Sequence, residues 1–105
     1  MSSSSVFISC VYSEFGATRQ AFNDVLRRLG YTPVSQEIFG TESGDLRKVL
    51  REKIDRCEGL IQIVGHGYGA EPPVIDENYG RVSYTQFEFL YAREKGKKTW
   101  LFFPG

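Results

Sequence analysis

The sequence predicts an α/β protein with a parallel sheet, and two observations support this prediction. Short runs of β-branched and aromatic residues alternate along the chain with segments whose apolar residues recur at helical spacing. The connections between successive strands are long enough to hold a helix, which favours βαβ units with helices on both faces of the sheet. The length of 105 residues is that of one domain.

The first third of the chain contains two predicted strands with a helix between them. Residues 6–10 are a β-branched and aromatic run, which indicates a buried first strand. Ser13 is a candidate N-cap for a first helix that runs to about Leu29. Residues 32–35 form a weak second strand, and Pro33 within it indicates a position at the sheet edge.

The next segment contains a second helix, the strongest strand and a long loop. The helix is predicted over residues 45–56 and the strand over residues 59–64. A loop rich in Gly and Pro follows over residues 65–82. Loops of more than ~12–15 residues in compact domains are usually functional or disordered, so this loop is a candidate cover for a site.

A capping box predicts where the third helix begins. Ser83 occupies the N-cap position and Gln86 the N3 position, and the helix ends at Gly96. Residues 99–103 form a fourth strand, whose residues 100–103 would leave an apolar edge that proteins normally cover.

The composition excludes several classes of function. Thirteen Lys and Arg residues balance thirteen Asp and Glu residues, so no global basic field attracts nucleic acid or an anionic membrane. No apolar run approaches the ~20 residues that span a bilayer. Cys10 and Cys57 are too few for a disulfide framework and indicate reduced thiols in a cytoplasmic protein. Because the chain has a single histidine, we expect no metal site.

Glu88 is the unusual residue of the third helix. It lies one turn after Tyr84 on the apolar face, where a carboxylate is costly unless it is paired or hydrogen-bonded. One interpretation is an ion pair with Arg19 or Arg81, or a hydrogen bond to nearby backbone. The other is a catalytic or ligand-orienting carboxylate, because this end of the helix lies near the carboxyl ends of the strands, where ligands bind.

Two segments of the chain resemble Toll/interleukin receptor (TIR) domains, in particular the bacterial TIR-like branch. Residues 6–12 read VFISCVY and residues 83–88 read SYTQFE. TIR domains often carry Trp-x-x-x-Glu at this helix; here Tyr84 replaces the Trp, and Glu88 has the matching spacing. The resemblance covers nearly all of residues 6–103. It implies a flavodoxin-like three-layer sandwich with a parallel sheet of four strands in the order 2-1-3-4.

The resemblance also predicts how the domain is delimited. A disordered leader over residues 1–5 precedes a TIR-like domain over residues 6–105. TIR domains usually have a fifth strand and a final helix, which are missing here. We therefore expect that the domain comes from a longer chain or that a partner supplies the cover for the last strand.

The resemblance implies an enzyme that cleaves NAD+ at the nicotinamide–ribose bond, giving nicotinamide and ADP-ribose or a cyclic isomer. NAD+ is then a substrate, and no cofactor is expected. The family's essential glutamate corresponds to Glu88. The leaving nicotinamide is neutral and needs no strong acid, whereas the oxocarbenium-like ribose needs a negative charge beside it. The implied biological setting is bacterial anti-phage defence, with activation by self-association of TIR domains.

Residues that leave the strand ends or begin the third helix are the candidates for substrate binding: Ser9, Cys10, Tyr12, Phe39, Tyr68, Ser83 and Tyr84. Packing at the strand end is the alternative role for the first three. Phe39 could stack on a nicotinamide ring or anchor its own polar loop, which spans residues 36–44.

Two other functions stay open at this point. One is a non-catalytic TIR-type module for protein interaction and signalling, which has no need for a carboxylate such as Glu88 on an inward helix face. The other is an enzyme similar to nucleoside deoxyribosyltransferases, which share the fold type and use a glutamate nucleophile. The chain lacks their acidic companion motif, which disfavours this function.

Overall fold

The computed structural model describes residues 4–35, 46–67, 71–72 and 75–103, without the side chains of residues 12–15. Strands and helices alternate along these residues. In chain order the elements are β1 (Ser5–Ser9), α1 (Tyr12–Arg28), β2 (Thr32–Val34), α2 (Leu46–Asp55), β3 (Gly59–Ile63), α3 (Tyr84–Glu94) and β4 (Lys98–Phe102). Each of the predicted strands and helices is confirmed, with small shifts at the boundaries.

The start of α1 differs from the sequence-based expectation. The helix begins at Tyr12 and its N-cap is Val11, whose side chain makes no capping hydrogen bond. Ser13 therefore lies inside the helix, and its assignment as the N-cap is wrong. The reason is geometric: β1 ends at Ser9, and the extended backbone of Val11 turns the chain directly into the helix, before Ser13 is reached.

The four strands form one parallel sheet in the order β2-β1-β3-β4, which confirms the predicted flavodoxin-like topology. β2 and β4 are the outer strands. Pro33 in β2 is therefore at the sheet edge, as predicted, where its missing N–H removes no hydrogen bond from a central strand.

The sheet has an apolar cluster on each face, because side chains alternate between the two faces of a strand. Phe7 of β1 and Leu60 of β3 are fully buried and belong to a cluster that includes residues of α2 and α3. Ile8 of β1 and Ile63 of β3 belong to the cluster on the other face, together with Leu26 of α1. The domain is thus a three-layer sandwich, with α1 on one face and α2 and α3 on the other.

β4 leaves an apolar edge exposed, as predicted. Trp100, Leu101, Phe102 and Phe103 are between 42% and 66% exposed. Trp100 packs against the neighbouring strand at Gly59, where an added Cβ would lie 2.7 Å from the indole Cζ3. A side chain at this position would have to displace the ring, so the glycine is what allows the close approach. None of the described helices is long and apolar enough to cross a membrane.

Candidate functional site

A polar pair stands at the carboxyl ends of the two central strands. Ser9 is the last residue of β1, and its register partner on β3 is Gln62. Both side chains project to the same face as Phe7 and Leu60, two residues earlier on each strand. The apolar layer that faces α3 is therefore followed at once by a polar layer at the edge where parallel sheets bind ligands.

Glu88 of α3 meets this polar layer. Its side chain is buried, and the Ser9 hydroxyl donates a hydrogen bond to Oε1 at 2.6 Å. Gln62 Nε2 donates both to the Ser9 hydroxyl oxygen, at 3.2 Å, and to the backbone carbonyl of Thr85, at 2.8 Å. The network fixes the Ser9 hydroxyl and, through it, one oxygen of the carboxyl group.

The ion pair considered as an alternative role for Glu88 is not found. Arg81 instead pairs with Glu71 at 2.9 Å, and Arg19 donates to the hydroxyl of Ser35 at 3.5 Å. Among the residues that the structure describes, no basic side chain forms an ion pair with Glu88. Its carboxyl group is thus held by a hydroxyl group in a buried setting.

Burial dominates the electrostatics of this carboxyl group. Removal from water raises the pKa of Glu88 to about 8, while the hydrogen bond from Ser9 acts in the opposite direction. Glu88 is therefore largely neutral at pH 7 when no cation is near. A positive charge placed beside this carboxyl group would lower its pKa and favour the ionised form.

Arg19 and Cys10 lie on the α1 side of the site. Arg19 is 6% exposed, which is unusual for an arginine. Cys10 follows β1 and packs against the α1-side apolar cluster. Burial raises the pKa of its thiol, the charge of Arg19 opposes this effect, and the charge of Glu88 adds to it. The thiol is therefore protonated and unsuited to act as a nucleophile.

The third helix starts as predicted. The backbone N–H of Gln86 donates to the Ser83 hydroxyl at 3.1 Å, and the Ser83 N–H donates to Gln86 Oε1 at 3.1 Å, which completes the capping box. Ser83 is fully buried, and its hydroxyl is engaged in capping α3. Tyr84 is half-buried and packs against the cluster under α2 and α3, one turn before Glu88.

The structure brings Ser9, Glu88, Ser83 and Tyr84 to the start of α3 and the neighbouring strand ends, with Cys10 beside them. Two further candidates, Phe39 and Tyr68, lie outside the described residues. Tyr12 is the first residue of α1, but its side chain is outside the description too.

Sequence reasoning missed the Gln62 side chain of this region. Gln62 carried a signal, because it is a polar residue inside the apolar run of residues 60–64. The burial of Arg19, which the sequence offered only as an ion-pair partner of Glu88, was signalled by its helical spacing between Phe15 and Phe22. Thr85 contributes only a backbone carbonyl, which no residue type reveals.

A separate surface groove of about 430 Å³ lies between α2, α3 and the turn from Asp76 to Gly80. It includes neither Ser9 nor Glu88. Asp76 there accepts a hydrogen bond from Arg47 at 3.3 Å and holds the turn against α2. The groove is open, and polar side chains that line it are hydrogen-bonded to one another, as the Tyr79 hydroxyl is to Glu94. We therefore place the candidate chemistry at Glu88. In the described ranges, no cluster of three His, Cys, Asp or Glu residues could hold a metal ion.

Comparison with known proteins gives a family without an assigned activity. A protein-family model described as "Domain of unknown function (DUF4062)" matches residues 5–105, nearly the whole chain. No curated protein matches the chain.

Proposed function

The chain belongs to the DUF4062 family, and we propose that it is a TIR-like NAD+ glycohydrolase of the cytoplasm in which Glu88 is the catalytic carboxylate. The observation that carries the proposal is the buried carboxyl group of Glu88, bound by the Ser9 hydroxyl at 2.6 Å, at the carboxyl edge of a parallel sheet. The TIR resemblance supplies the substrate and adds two further proposals: self-association activates the enzyme, and NAD+ loss protects bacteria against phage.

The reaction breaks the bond between ribose C1′ and the pyridinium nitrogen of NAD+. The electron pair of this bond goes to the nitrogen, so nicotinamide leaves as a neutral molecule. Positive charge develops on C1′ and the ring oxygen of ribose, and the carboxylate of Glu88 stabilises it. Water then attacks C1′ and loses a proton, giving ADP-ribose; attack by an adenine nitrogen gives the cyclic isomer.

The raised pKa of Glu88 suits a substrate with a permanent positive charge. Without bound NAD+ the carboxyl group is mostly protonated at pH 7, because burial disfavours its charge. The pyridinium ring of NAD+ brings a positive charge that lowers the pKa of the nearby carboxyl group. Binding would then release a proton and create the negative charge that bond cleavage requires.

The other polar residues act through Glu88. Ser9 positions the carboxyl group, and Gln62 orients the Ser9 hydroxyl while the Thr85 carbonyl holds the second hydrogen of the Gln62 amide. All three are positioning residues in this proposal. Tyr84, one helical turn before Glu88, shapes the pocket with its ring.

The test is nicotinamide release from NAD+ by the wild-type chain and two matched variants, at high protein concentration or after clustering on a carrier. Glu88→Gln keeps the size and hydrogen bonding of the side chain but removes its charge, so we expect a loss of about 10²–10³ in kcat. Glu52→Gln makes the same change at an exposed position of α2 and should leave the rate unchanged.

Circular dichroism must show that both variants are folded. Turnover by folded Glu88→Gln at the wild-type rate would remove Glu88 from the mechanism. A folded and clustered wild-type chain that releases no nicotinamide would refute the proposed activity as a whole.

A further inference from the structure

The outer strand β4 presents apolar side chains on both faces of the sheet. Trp100 and Phe102 share a face with their register partners Ile61 and Ile63, which pack on the α1 side. The Phe102 ring meets the Phe22 ring of α1 edge-on, with centroids 5.0 Å apart. Leu101 projects to the opposite face and is 48% exposed. α1 and α3 therefore leave the β4 side chains only partly covered.

The backbone of β4 also has a free side. The backbone carbonyl of Phe102 accepts a hydrogen bond from Val64 N–H at 2.8 Å, and the backbone N–H of Lys98 donates to the carbonyl of Glu58 at 3.4 Å. The even-numbered residues of β4 therefore bond to β3. In a parallel pair, the N–H and C=O of one residue point to the same side, and the side alternates along the strand. The N–H and C=O of Thr99, Leu101 and Phe103 thus point away from the sheet.

We propose that this edge binds the same edge of a second copy of the chain, with the two β4 strands antiparallel about a two-fold axis at Leu101. In this register Leu101 faces Leu101 of the partner subunit, and Thr99 faces Phe103 of the partner subunit. All outward backbone groups of these three residues then pair with one another. The two four-stranded sheets become one continuous sheet of eight strands.

The same register pairs the aromatic side chains. Trp100 lies opposite Phe102 of the partner subunit, and the two-fold axis repeats this pair. These positions are non-hydrogen-bonded pairs, where opposing Cα atoms are only ~4.5 Å apart and side chains are closest. Aromatic cross-strand pairs at such positions stabilise a sheet. A two-fold axis at Thr99 or at Trp100 would instead place Lys98 of the partner subunit opposite one of these rings.

Charge and area are compatible with this dimer. The two copies of Lys98 lie six positions apart along the antiparallel pair, or ~20 Å, which exceeds the Debye length of ~8 Å in physiological salt. The chain has no net charge that would repel a second copy. Aromatic side chains offer ~150–250 Å² each. Since Trp100, Phe102 and Phe103 are 42–66% exposed, the rings of two β4 strands offer ~500–800 Å², the size of a weak, concentration-dependent interface.

The dimer is independent of the proposed enzyme activity. A two-fold axis at Leu101 runs perpendicular to the sheet, so the carboxyl edges of the two copies point in opposite directions. The two Glu88 sites stay separate, and neither copy contributes to the site of the other. The dimer can therefore exist whether or not the chain cleaves NAD+.

The first test measures the mass of the 105-residue chain in solution by sedimentation, over a hundredfold range of concentration. Leu101→Lys places two ammonium groups opposite each other at the centre of the interface. Leu29→Lys is the control, because Leu29 is 67% exposed and lies at the end of α1, next to β2 on the opposite edge. We expect dimers of the wild type and of Leu29→Lys, and a dissociation constant at least about tenfold higher for Leu101→Lys.

Trp100 provides a second readout, since it is the single tryptophan of the chain. Its emission should move to shorter wavelength as wild-type concentration rises and stay unchanged in Leu101→Lys. The register is tested by cysteine cross-linking. Leu101→Cys brings two Cα atoms to ~5.5 Å, within disulfide range, and should oxidise to a covalent dimer; Lys98→Cys should not.

The wild type under the same oxidant gives the background from Cys10 and Cys57. A wild-type chain that is monomeric at every concentration would overturn the proposal, whatever else covers β4 in the cell. A dimer that Leu101→Lys does not weaken, or cross-links that form equally from Lys98→Cys, would also overturn it.

Discussion

Ser9 and Glu88 are 79 residues apart in the sequence, yet Ser9 Oγ lies 2.6 Å from Glu88 Oε1 in a buried contact. The hydrogen bond favours the ionised carboxylate and burial favours the neutral acid. Burial has the larger effect, because the pKa of Glu88 rises to about 8. A cation placed beside Glu88 would therefore shift the carboxyl group towards its ionised form.

The pH dependence of NAD+ cleavage should reflect this pKa. The free enzyme needs ionised Glu88, so kcat/KM should rise about tenfold per pH unit below pH 8 and level off above it. The bound pyridinium lowers the pKa of the carboxyl group, so the kcat profile should level off at lower pH. Steady-state rates between pH 5.5 and 9 measure the kcat/KM profile and the kcat profile. A kcat/KM that does not change across this range would contradict the assignment.

Glu88 should also make the free energy of unfolding depend on pH, decreasing it as pH rises. Its pKa is about 8 in the folded state against an ordinary 4.5, so between these values the native chain holds a proton that the unfolded chain has lost. This contribution to stability is full below pH 4.5 and is lost as pH rises towards 8, by at most ~1.4 kcal/mol per unit. The Glu88→Gln variant has no carboxyl group at this position, so its stability lacks this dependence on pH.

The Tm of Glu88→Gln minus that of the wild type should therefore increase from pH 5 to pH 8. Glu52→Gln, at an exposed position, should follow the wild type across the same range. A difference that shrinks with pH would mean that Glu88 is ionised in the native state.

Ser9→Ala should change the pH profile as well as the rate. The Ser9 hydroxyl lowers the pKa of Glu88, so its removal should shift the kcat/KM profile to higher pH and reduce activity at pH 7. Ser5→Ala is the matched control, at the other end of β1 on the same face. If Ser9→Ala lowers the rate equally at every pH, then Ser9 has only a structural role.

Tyr84 should contribute ring area and no proton chemistry. Tyr84→Ala should raise KM or disorder Glu88, one turn later on the helix, whereas Tyr84→Phe and Tyr84→Trp should retain much of the activity. Steady-state kinetics give kcat and KM for the three variants, and thermal melts check that each variant is folded. Inactivity of Tyr84→Phe equal to that of Glu88→Gln would show that the hydroxyl group takes part.

Activity should depend on assembly, as the TIR resemblance implies. Specific activity should rise more than proportionally with chain concentration, or on fusion to an oligomerising tag. The polar loop predicted over residues 36–44, with Phe39, lies outside the described residues. Leu101→Lys separates two causes: an increase that persists in this variant comes from contacts other than β4. Constant turnover per molecule, unaffected by clustering, would show that one chain holds the complete pocket.

The fold was largely predictable because its signals are local. The apolar run of β3, the capping box of Ser83 and Gln86, and the spacing that turns Glu88 inward can each be read within a few residues. The contact between Ser9 and Glu88 was not predictable, because it depends on how β1 aligns with β3 and where α3 crosses them. Local rules failed at Ser13 for a similar reason, since the end of β1 decides where α1 begins.

The register of β1 on β3 links folding to chemistry. Phe7 and Ser9 share one face of β1, so the alignment that buries Phe7 beside Leu60 also brings Ser9 beside Gln62 and under Glu88. A slip of one residue would turn both side chains to the α1 face, so Phe7 would lose its packing beside Leu60 and Ser9 would lose its contacts with Gln62 and Glu88. A misaligned chain thus loses native packing and the site together, and the specific activity of a preparation would count its correctly folded molecules.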